Sequence, residues 1–262
     1  RRDHFAADEA TSDDISTEGQ ARKSGVLPRP SPNPIETSGI LSPSYIGTVE
    51  RLVMKKIIVG ISGASGVVYG IRLLEVLKSI DDVETHLVIS PYAKLNIEIE
   101  TSHKPEDVAQ MADYVYDHKD VAAGPSSGSF LTAGMVVVPC TVKTLSGIAN
   151  SYTENLLVRA ADVSLKEKRK LVLVVRETPL HKGHLALMTR AAGMGAHILP
   201  PVPSFYHQPK TIQDIVDQTI GKIFDYMGIQ HNLFQRWGES NEQHSAVLRD
   251  HRGQLVNRAG SN

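Results

Sequence analysis

The stretch from Lys55 to Gly70, KKIIVGISGASGVVYG, constrains the fold more than any other part of the chain. An apolar run leads into a turn of small residues, Ser62–Gly66, and then into the start of an amphipathic helix. Such an arrangement can bind an anion, because the first backbone N–H groups of a helix have no partner within it. The spacing of Gly63 and Gly66 matches neither the dinucleotide fingerprint nor a phosphate-binding loop with its lysine. An ordinary strand–helix turn therefore stays open as the alternative.

Apolar runs typical of strands alternate with segments of helical periodicity along the rest of the chain. The predicted strands cover 57–61, 83–90, 134–139, 170–175 and 196–199. The predicted helices cover 66–80, 91–100, 155–168, 181–194 and a last one with its apolar face on 212–227, whereas residues 105–123 show no clean period. This alternation favours a parallel sheet with helices on both faces.

Composition limits the class of partner and the compartment. The 28 basic and 29 acidic side chains nearly balance, so nothing indicates nucleic acid or an anionic membrane surface as a partner. The single cysteine, Cys140, excludes an internal disulfide and a cysteine zinc cluster. No apolar run reaches the ~18 residues that a membrane span needs.

The chain divides by composition into three parts. We predict a disordered, Pro- and Ser-rich arm over 1–53, a folded domain over 54–240, and a flexible polar tail over 241–262. The arm is rich in acidic residues, which argues against a mitochondrial transit peptide. We expect a cytoplasmic protein, and a mitochondrial one if the arm is a targeting segment.

Polar residues follow the predicted strands at their carboxyl ends. Ser65 comes after the first strand, Ser90 after the second, Thr141–Thr144 after the third, and Arg176 and Glu177 after the fourth. Ligands of open parallel sheets bind beyond the carboxyl ends of the strands. We therefore expect these groups to converge on one site.

Three charged side chains share one face of the 155–168 helix. Arg159, Asp162 and Lys166 stand at positions i, i+3 and i+7 and form either a solvated salt-bridge face or a cationic patch beside a phosphate. Arg176 can bind a phosphate or a flavin carbonyl with its planar fork, or pair structurally with Glu177. Glu177 can relay a proton if its surroundings are dry enough to raise its pKa.

Other candidates have equally ordinary structural explanations. Thr141 fits an N-cap, Ser90 fits the end of a strand, and Tyr206 fits either a phosphate ligand or a packed loop aromatic. On residue type alone, Lys222 and Glu100 are typical of solvated surface. His181 and His184 lack a third metal ligand, and no paired-aspartate magnesium signature or nucleophile elbow is present, so we predict no metal site and no serine hydrolase.

Four long stretches resemble the flavin prenyltransferase family of the UbiX/Pad type. They are GISGASGVVYGIRLLEVL, SSGSFLTAGMVVVPCTVKTLSGIA, NLLVRAADVSLKEKRKLVLVVRETPLHKGHL and PPVPSFYHQP. The resemblance runs collinearly from about Lys55 to Glu239. One departure is Thr141, where many members carry serine, and the hydroxyl is kept.

This resemblance implies a three-layer, Rossmann-like (flavodoxin-like) α/β fold, and a homo-oligomer that is usually a dodecamer. It implies transfer of a dimethylallyl group from dimethylallyl monophosphate to N5 and C6 of reduced FMN, which makes prenylated FMN for a separate UbiD-type decarboxylase. It implies that FMN is held by Gly63, Ala64, Ser65, Ser90, Thr141, Val142, Lys143, Thr144 and Arg176. It places the allylic phosphate on Tyr206 and Lys222, and further active-site roles on Glu100, Arg159, Lys166 and Glu177.

Two other functions remain open on the sequence. A flavin-dependent decarboxylase of the same fold would need a catalytic histidine early in the chain, and none stands near Ser65 or Ser90. A non-catalytic FMN carrier or decarboxylase subunit would bind flavin but would tolerate substitution of Lys166 or Glu177.

Overall fold

The computed structural model describes residues 54–238. Its strands are β1 (Lys55–Ile61), β2 (Val83–Ile89), β3 (Tyr114–Tyr116), β4 (Gly134–Cys140), β5 (Lys170–Val175) and β6 (His197–Ile198). Its α-helices are α1 (Val67–Leu77), α2 (Pro91–Glu100), α3 (Pro105–Ala109), α4 (Val142–Ala149), α5 (Leu156–Lys166), α6 (Lys182–Gly193) and α7 (Ile212–Met227). The predicted arm over 1–53 and tail over 241–262 lie outside the described residues.

The six strands form one sheet in the order β3-β2-β1-β4-β5-β6, and every neighbouring pair is parallel. The chain runs outward from β1 in one direction as far as β3 and then restarts on the other side of β1 with β4. The strand order therefore reverses between β1 and β4, which is where open α/β sheets bind ligands. The predicted parallel α/β fold is confirmed.

Both faces of the sheet are buried, so its strands are continuously apolar. On β4, Val136 and Val138 contact the cluster that contains α1 and α7, and Met135 and Val137 contact the cluster that contains α4 and α5. Alternate side chains point to opposite faces of a strand, and each face of this sheet is covered by a helix layer. The result is the three-layer architecture that the resemblance implied.

The segment 105–123 is where the sequence prediction lacked detail. It contains the five-residue helix α3 and the three-residue edge strand β3, which pairs with β2 through His86 and Tyr114. Elements this short span less than two helical turns or two strand repeats, so no period can be read from them. β3 leads into the segment that carries His118 and Lys119.

The segment after α7 folds back onto that helix through Asp225. The Asp225 carboxylate accepts hydrogen bonds from Arg236 at 2.7 and 3.1 Å and from Lys222 at 3.3 Å, and lies 3.1 Å from His231 Nε2. The packing is close, since a Cβ on Gly221 would lie 2.4 Å from the Phe234 ring. The Arg236 guanidinium, foremost among these partners, lowers the pKa of Asp225 to about 2.

Asp225→Asn should destabilise the domain at neutral pH, and the defect should shrink in acid. The pKa of Asp225 is depressed in the folded state, so its contribution is present above the ordinary value of 3.8 and is lost as the pH falls toward 2. Urea unfolding of wild type and variant between pH 7 and pH 2.5 measures the difference. A gap that stays constant over this range would contradict the ion-pair assignment.

Gly70→Ala should destabilise the fold by about 1–3 kcal/mol, because a larger side chain in a filled core forces its neighbours apart. A Cβ at this position of α1 would lie 2.6 Å from the Val138 carbonyl oxygen and 3.0 Å from Ile61 Cδ1. Gly193→Ala is the matched control in α6, since nothing lies within 4 Å of its Cβ position. It should be neutral or stabilising by about 0.5–1 kcal/mol. Equal urea midpoints for the two variants would refute the close approach of α1 to β4.

Candidate functional site

The carboxyl ends of the central strands are tied together by a buried hydroxyl. Ser62 Oγ donates to the Pro139 carbonyl at 2.8 Å and accepts from the Thr141 backbone N–H at 2.8 Å. Ser62 is only 1% exposed, so these bonds also satisfy a polar group that burial would otherwise make costly. Sequence reasoning missed this role, because nothing in the residue type shows that Ser62 bridges β1 and β4.

The neighbouring strand ends join the same edge by backbone bonds. The Ser90 N–H donates to the Ile61 carbonyl at 2.9 Å, and the Arg176 N–H donates to the Cys140 carbonyl at 3.1 Å. The ends of β1, β2, β4 and β5 therefore lie side by side, as expected from the polar residues that follow each strand.

A cleft of about 960 Å³ opens above these strand ends. Three helix N-termini face it, those of α2, α4 and α5. Ser90 caps α2 by accepting from the Ala93 N–H at 3.2 Å, and Thr141 caps α4 by accepting from the Thr144 N–H at 3.0 Å. The N-cap interpretation of Thr141 is thus correct, whereas Ser90, expected only to end its strand, also caps a helix. Neither cap excludes a ligand, because helix N-termini carry positive potential.

Part of the predicted site lines this cleft. The predicted residues that line it are Gly63, Ser90, Thr141, Lys143 and Thr144. They are joined by residues that the sequence analysis did not single out, among them Ser62, His118, Lys119, Tyr152, Glu154 and Asn155. The hydroxyl of Thr141 also donates to Thr144 Oγ1 at 2.9 Å, so both hydroxyls are oriented before any ligand binds.

Glycine is required where the first loop passes α2. A Cβ on Gly63 would lie 2.4 Å from Tyr92 Cβ, so no larger residue fits without displacing the start of α2. The same loop turns into α1 at Gly66, whose φ of 95° lies in the left-handed region that favours glycine. The two glycines therefore set how closely the loop packs on α2 and how it turns into α1.

The N-terminus of α1, which the sequence suggests as an anion site, holds a carboxylate of the chain itself. Glu100 Oε2 accepts from the Gly66 N–H at 2.7 Å and from the Val67 N–H at 3.2 Å. The physical expectation of an anion at this helix end is right, but its occupant here is Glu100. Glu100 is exposed, as its residue type predicts, and its carboxylate also links the end of α2 to the loop that carries Ala64 and Ser65.

Arg176 and Glu177 lie at the strand-end edge but outside the lining of the cleft. Arg176 is exposed and faces Tyr69 in α1. Burial raises the pKa of Tyr69, while the Thr219 hydrogen bond and the Arg176 charge partly offset that rise. The structural pairing of Arg176 with Glu177 is absent from the ion pairs of the described residues, and Glu177 instead accepts from the Thr178 N–H at 3.1 Å.

The two cations of α5 are spread along the helix. Arg159 donates to the Ser126 carbonyl at 3.1 Å and pairs with Asp162 at 3.2 Å, so the salt-bridge interpretation holds for this residue. Lys166, at the last turn, pairs with the neighbouring Glu167. Because the chain enters the amino end of β5 directly afterwards, Lys166 lies toward the edge of the sheet opposite the cleft of its own protomer.

Tyr206 and Lys222 belong to a third group around the end of α7. Tyr206 makes an edge-to-face contact with Trp237 at 5.7 Å between ring centroids. Lys222 pairs with Asp225, which also holds Arg236, the residue next to Trp237. Within one protomer the predicted site residues therefore lie in separate groups, one at the strand ends, one on α5 and one around the end of α7.

The cleft suits a flavin mononucleotide in size and chemistry. Its volume lies at the upper end of the range typical of cofactor pockets, roughly 300–1,000 Å³. Hydroxyls and helix N-termini at one wall match a phosphate and a ribityl chain. Within residues 54–238 no group of three or more His, Cys, Asp or Glu side chains could hold a metal ion, and no helix is long and apolar enough to cross a membrane.

Comparison with known proteins agrees with this geometry. A family model described as Flavoprotein matches residues 48–237. The flavin prenyltransferase UbiX of Salmonella typhimurium is 57% identical over 186 residues, which cover 70% of this chain and 98% of the relative. The corresponding protein of Thauera aromatica is 53% identical over 194 residues, which cover 74% of this chain and all of the relative.

Solved structures give the same result. The crystal structure of AnUbiX in complex with FMN and dimethylallyl pyrophosphate has a TM-score of 0.70 and 44% identity, and the match covers 72% of this chain and 100% of that chain. A dodecameric FMN-dependent UbiX-like decarboxylase from Escherichia coli O157:H7 has a TM-score of 0.68 and 48% identity. This match covers 70% of the present chain and 98% of that protein's chain. The chain therefore belongs to the flavoprotein family and, within it, to the flavin prenyltransferases of the UbiX type.

Proposed function

We propose that this chain is a flavin prenyltransferase that moves the dimethylallyl group of dimethylallyl monophosphate to reduced FMN. In the complete reaction N5 of the flavin bonds to C1 of the allyl group as the C–O bond to phosphate breaks, and N5 loses its proton. The allyl double bond then takes up a proton at C2, C6 of the flavin bonds to C3, and the C6 proton is removed. The observation that supports this function is the cleft at the β1–β4 reversal, where the capped N-termini of α2 and α4 meet. The identity to curated flavin prenyltransferases supports the same reaction.

The cleft supplies the flavin site in this proposal. Hydroxyls and backbone N–H groups of the strand-end loops hold the polar side of the flavin, and Lys143 and Arg176 supply positive charge. Glu100 acts through the loop, because its bonds to Gly66 and Val67 fix the start of α1. The full flavin set is Gly63, Ala64, Ser65, Ser90, Thr141, Val142, Lys143, Thr144 and Arg176.

The leaving phosphate needs fixed cations and hydroxyl donors as its negative charge develops. We assign these roles to Arg159, Lys166, Tyr206 and Lys222. Holding the allyl carbon against the flavin then converts the attack into an effectively unimolecular step. The C6 proton has two acceptors in this arrangement, the Glu177 carboxylate and the released phosphate.

A homo-oligomer would bring these groups to the cleft, since within one protomer α5 carries Lys166 away from it. The exposed side of α2 is apolar, with Tyr92, Leu95 and Ile99 exposed by 72%, 49% and 70%. Apolar stripes of this kind mark interaction surfaces. We propose that a neighbouring copy buries this stripe and contributes Arg159 and Lys166 to the cleft, and that the product passes to a UbiD-type decarboxylase.

Anaerobic incubation with reduced FMN and dimethylallyl monophosphate should give a flavin product heavier by the prenyl group, detected by mass spectrometry. Dimethylallyl pyrophosphate serves as the competing donor in a parallel reaction. Bound FMN without product from either donor would favour a non-catalytic carrier, and product from the pyrophosphate alone would overturn the monophosphate assignment.

Glu177→Gln should retain bound flavin and lose turnover by about 100-fold or more if Glu177 accepts the C6 proton. Glu98→Gln is the matched control, since Glu98 is an exposed carboxylate of α2 outside the cleft. Full turnover of Glu177→Gln would assign the proton to the released phosphate instead.

Mixed oligomers test whether the site is shared. Lys166→Ala and the double variant Thr141→Val/Thr144→Val should each lack activity alone. After dissociation and random reassembly at equal amounts, roughly one site in four should combine an intact cleft with an intact lysine from a neighbour. If Lys166→Ala is inactive alone and no activity is recovered in the mixture, Lys166 acts within its own protomer. Full activity of Lys166→Ala alone would remove this lysine from the site.

A further inference from the structure

A short loop between β3 and β4 packs along α5 and contacts both cations of that helix. We call residues 126–130 the serine loop. Near the start of α5, Arg159 Nε donates to the Ser126 carbonyl at 3.1 Å. At the end of α5, Lys166 Nζ lies 2.8 Å from the position that a Cβ on Gly128 would take. The loop backbone therefore passes beside the two cations that the proposed function assigns to the leaving phosphate.

Arg169 holds the serine loop from a point just beyond the end of α5. Its Nη1 donates to the Phe130 carbonyl at 2.8 Å, and its Nη2 donates to the Gly128 carbonyl at 2.5 Å. The planar guanidinium presents its donors in fixed directions, which the flexible ammonium of a lysine does not. The Arg169 backbone is fixed in turn, because its N–H donates to the Ser164 carbonyl at 2.8 Å. Arg169 thus ties the loop to the end of α5.

The far end of the serine loop rests on the sheet. The Phe130 ring makes an edge-to-face contact with His86 of β2 at 4.9 Å between ring centroids, and Lys56 Nζ lies 4.7 Å from the centre of the same ring. His86 is only 2% exposed, so this support belongs to the buried part of the fold. The Phe130 ring fixes one end of the loop, and the Arg169 bond to Gly128 sets how closely its middle lies against α5.

The middle of the serine loop leaves no room beside the Lys166–Glu167 ion pair. A Cβ on Gly128 would overlap the Glu167 carboxylate, although the Lys166 and Glu167 side chains are 47% and 35% exposed. A long side chain with this exposure adopts several rotamers unless a neighbour restricts it. The hydrogen bond and charge of Lys166, and then the charge of Arg169, lower the pKa of Glu167, so its carboxylate stays ionised beside the lysine. The Gly128 backbone restricts the pair on its remaining side.

We propose that Arg169 is a positioning residue for Lys166. Its two bonds hold Gly128 against the Lys166–Glu167 pair, and the loop thereby confines the Lys166 ammonium to the place where the leaving phosphate binds. The inference rests on the proposed function for the role of Lys166. In this arrangement Arg169 acts through the loop and makes no contact with the phosphate.

Binding of dimethylallyl monophosphate to the enzyme loaded with oxidised FMN tests the proposal without turnover, because N5 of oxidised FMN is not a nucleophile. In titration calorimetry Arg169→Gln should bind the monophosphate about three- to tenfold more weakly and should keep the FMN affinity of wild type. Arg169→Lys should bind it as weakly, since it retains the charge and loses the two-carbonyl fork. Wild-type binding by Arg169→Lys would overturn the role of the two carbonyl bonds.

Lys168→Gln is the matched control for charge. Lys168 is exposed and stands next to Arg169, so the substitution removes one positive charge and leaves the bonds to the serine loop in place. It should bind the monophosphate as wild type does. A loss equal to that of Arg169→Gln would assign the effect to net charge and would contradict the proposal.

A Lys166→Gln background separates positioning from a purely structural role. Arg169→Gln should cause no further loss of monophosphate binding in this background, because the cation that it positions is already gone. The same loss in both backgrounds would show that Arg169 acts on the fold or on the phosphate independently of Lys166, and the proposal would fail.

Gly128→Ala perturbs the same contact from the side of the loop. The added Cβ first meets the ends of two flexible side chains, Glu167 and Lys166, so the urea midpoint should stay close to that of wild type while monophosphate binding weakens by a similar factor. Gly193→Ala, with nothing within 4 Å of its Cβ position, is the control. Unchanged monophosphate binding by Gly128→Ala would mean that the loop does not set the position of Lys166.

The steady-state reaction separates this inference from the proposed function. Arg169→Gln should lower kcat/KM for dimethylallyl monophosphate by at least the factor seen in binding. If prenylated flavin forms and Arg169→Gln matches wild type in both binding and kcat/KM, the positioning role is wrong and the proposed function stands. If wild type forms no prenylated flavin and the binding differences appear, Arg169 orders a phosphate site that serves another reaction.

Discussion

The bond pair of Ser62 holds together the two strand ends on which the site is built. Parallel strands β1 and β4 meet where the strand order reverses, and at this buried point the Ser62 hydroxyl reinforces the backbone bond that the Ser62 N–H donates to the Pro139 carbonyl. One hydroxyl satisfies a carbonyl and an N–H at once, and it thereby fixes Thr141 as the cap of α4. The position of that helix N-terminus, and with it the wall of the cleft, depends on this contact.

The N-termini of α1, α2 and α4 are capped by two different kinds of group. The N-terminus of α1 is neutralised by Glu100, whereas those of α2 and α4 are capped by hydroxyls and face the cleft. A hydroxyl cap satisfies one N–H and adds no charge, so the positive potential of the helix remains for a ligand. A carboxylate cap cancels that potential. The difference leaves positive potential at the N-termini of α2 and α4, which face the cleft, and offsets it at the glycine-containing turn.

Positive charge is distributed over the molecule in a way that suits an assembly better than a single protomer. Lys143 and Arg176 lie near the cleft, while Lys166 and Lys222 lie on helices that run toward the other edge of the sheet. Lys166 and Lys222 each pair with a nearby carboxylate, Glu167 and Asp225. Exposed pairs cost little to rearrange, so such cations can serve a second molecule that packs against them.

Residue order and hydrophobic period determined the strands, most helices and the edge at which the site lies, because both are local properties of the chain. The bounds of α2 and β5 follow directly from the residues, and the polar groups after each strand had to share one edge of a parallel sheet. Elements as short as β3 leave no periodic signal in the sequence. The sequence therefore does not predict that His118 and Lys119, which follow β3, line the cleft. The pairing of Glu100 with the start of α1, the bridging role of Ser62 and the distance of Lys166 from the cleft depend on which distant segments pack together, and only the tertiary structure decides that.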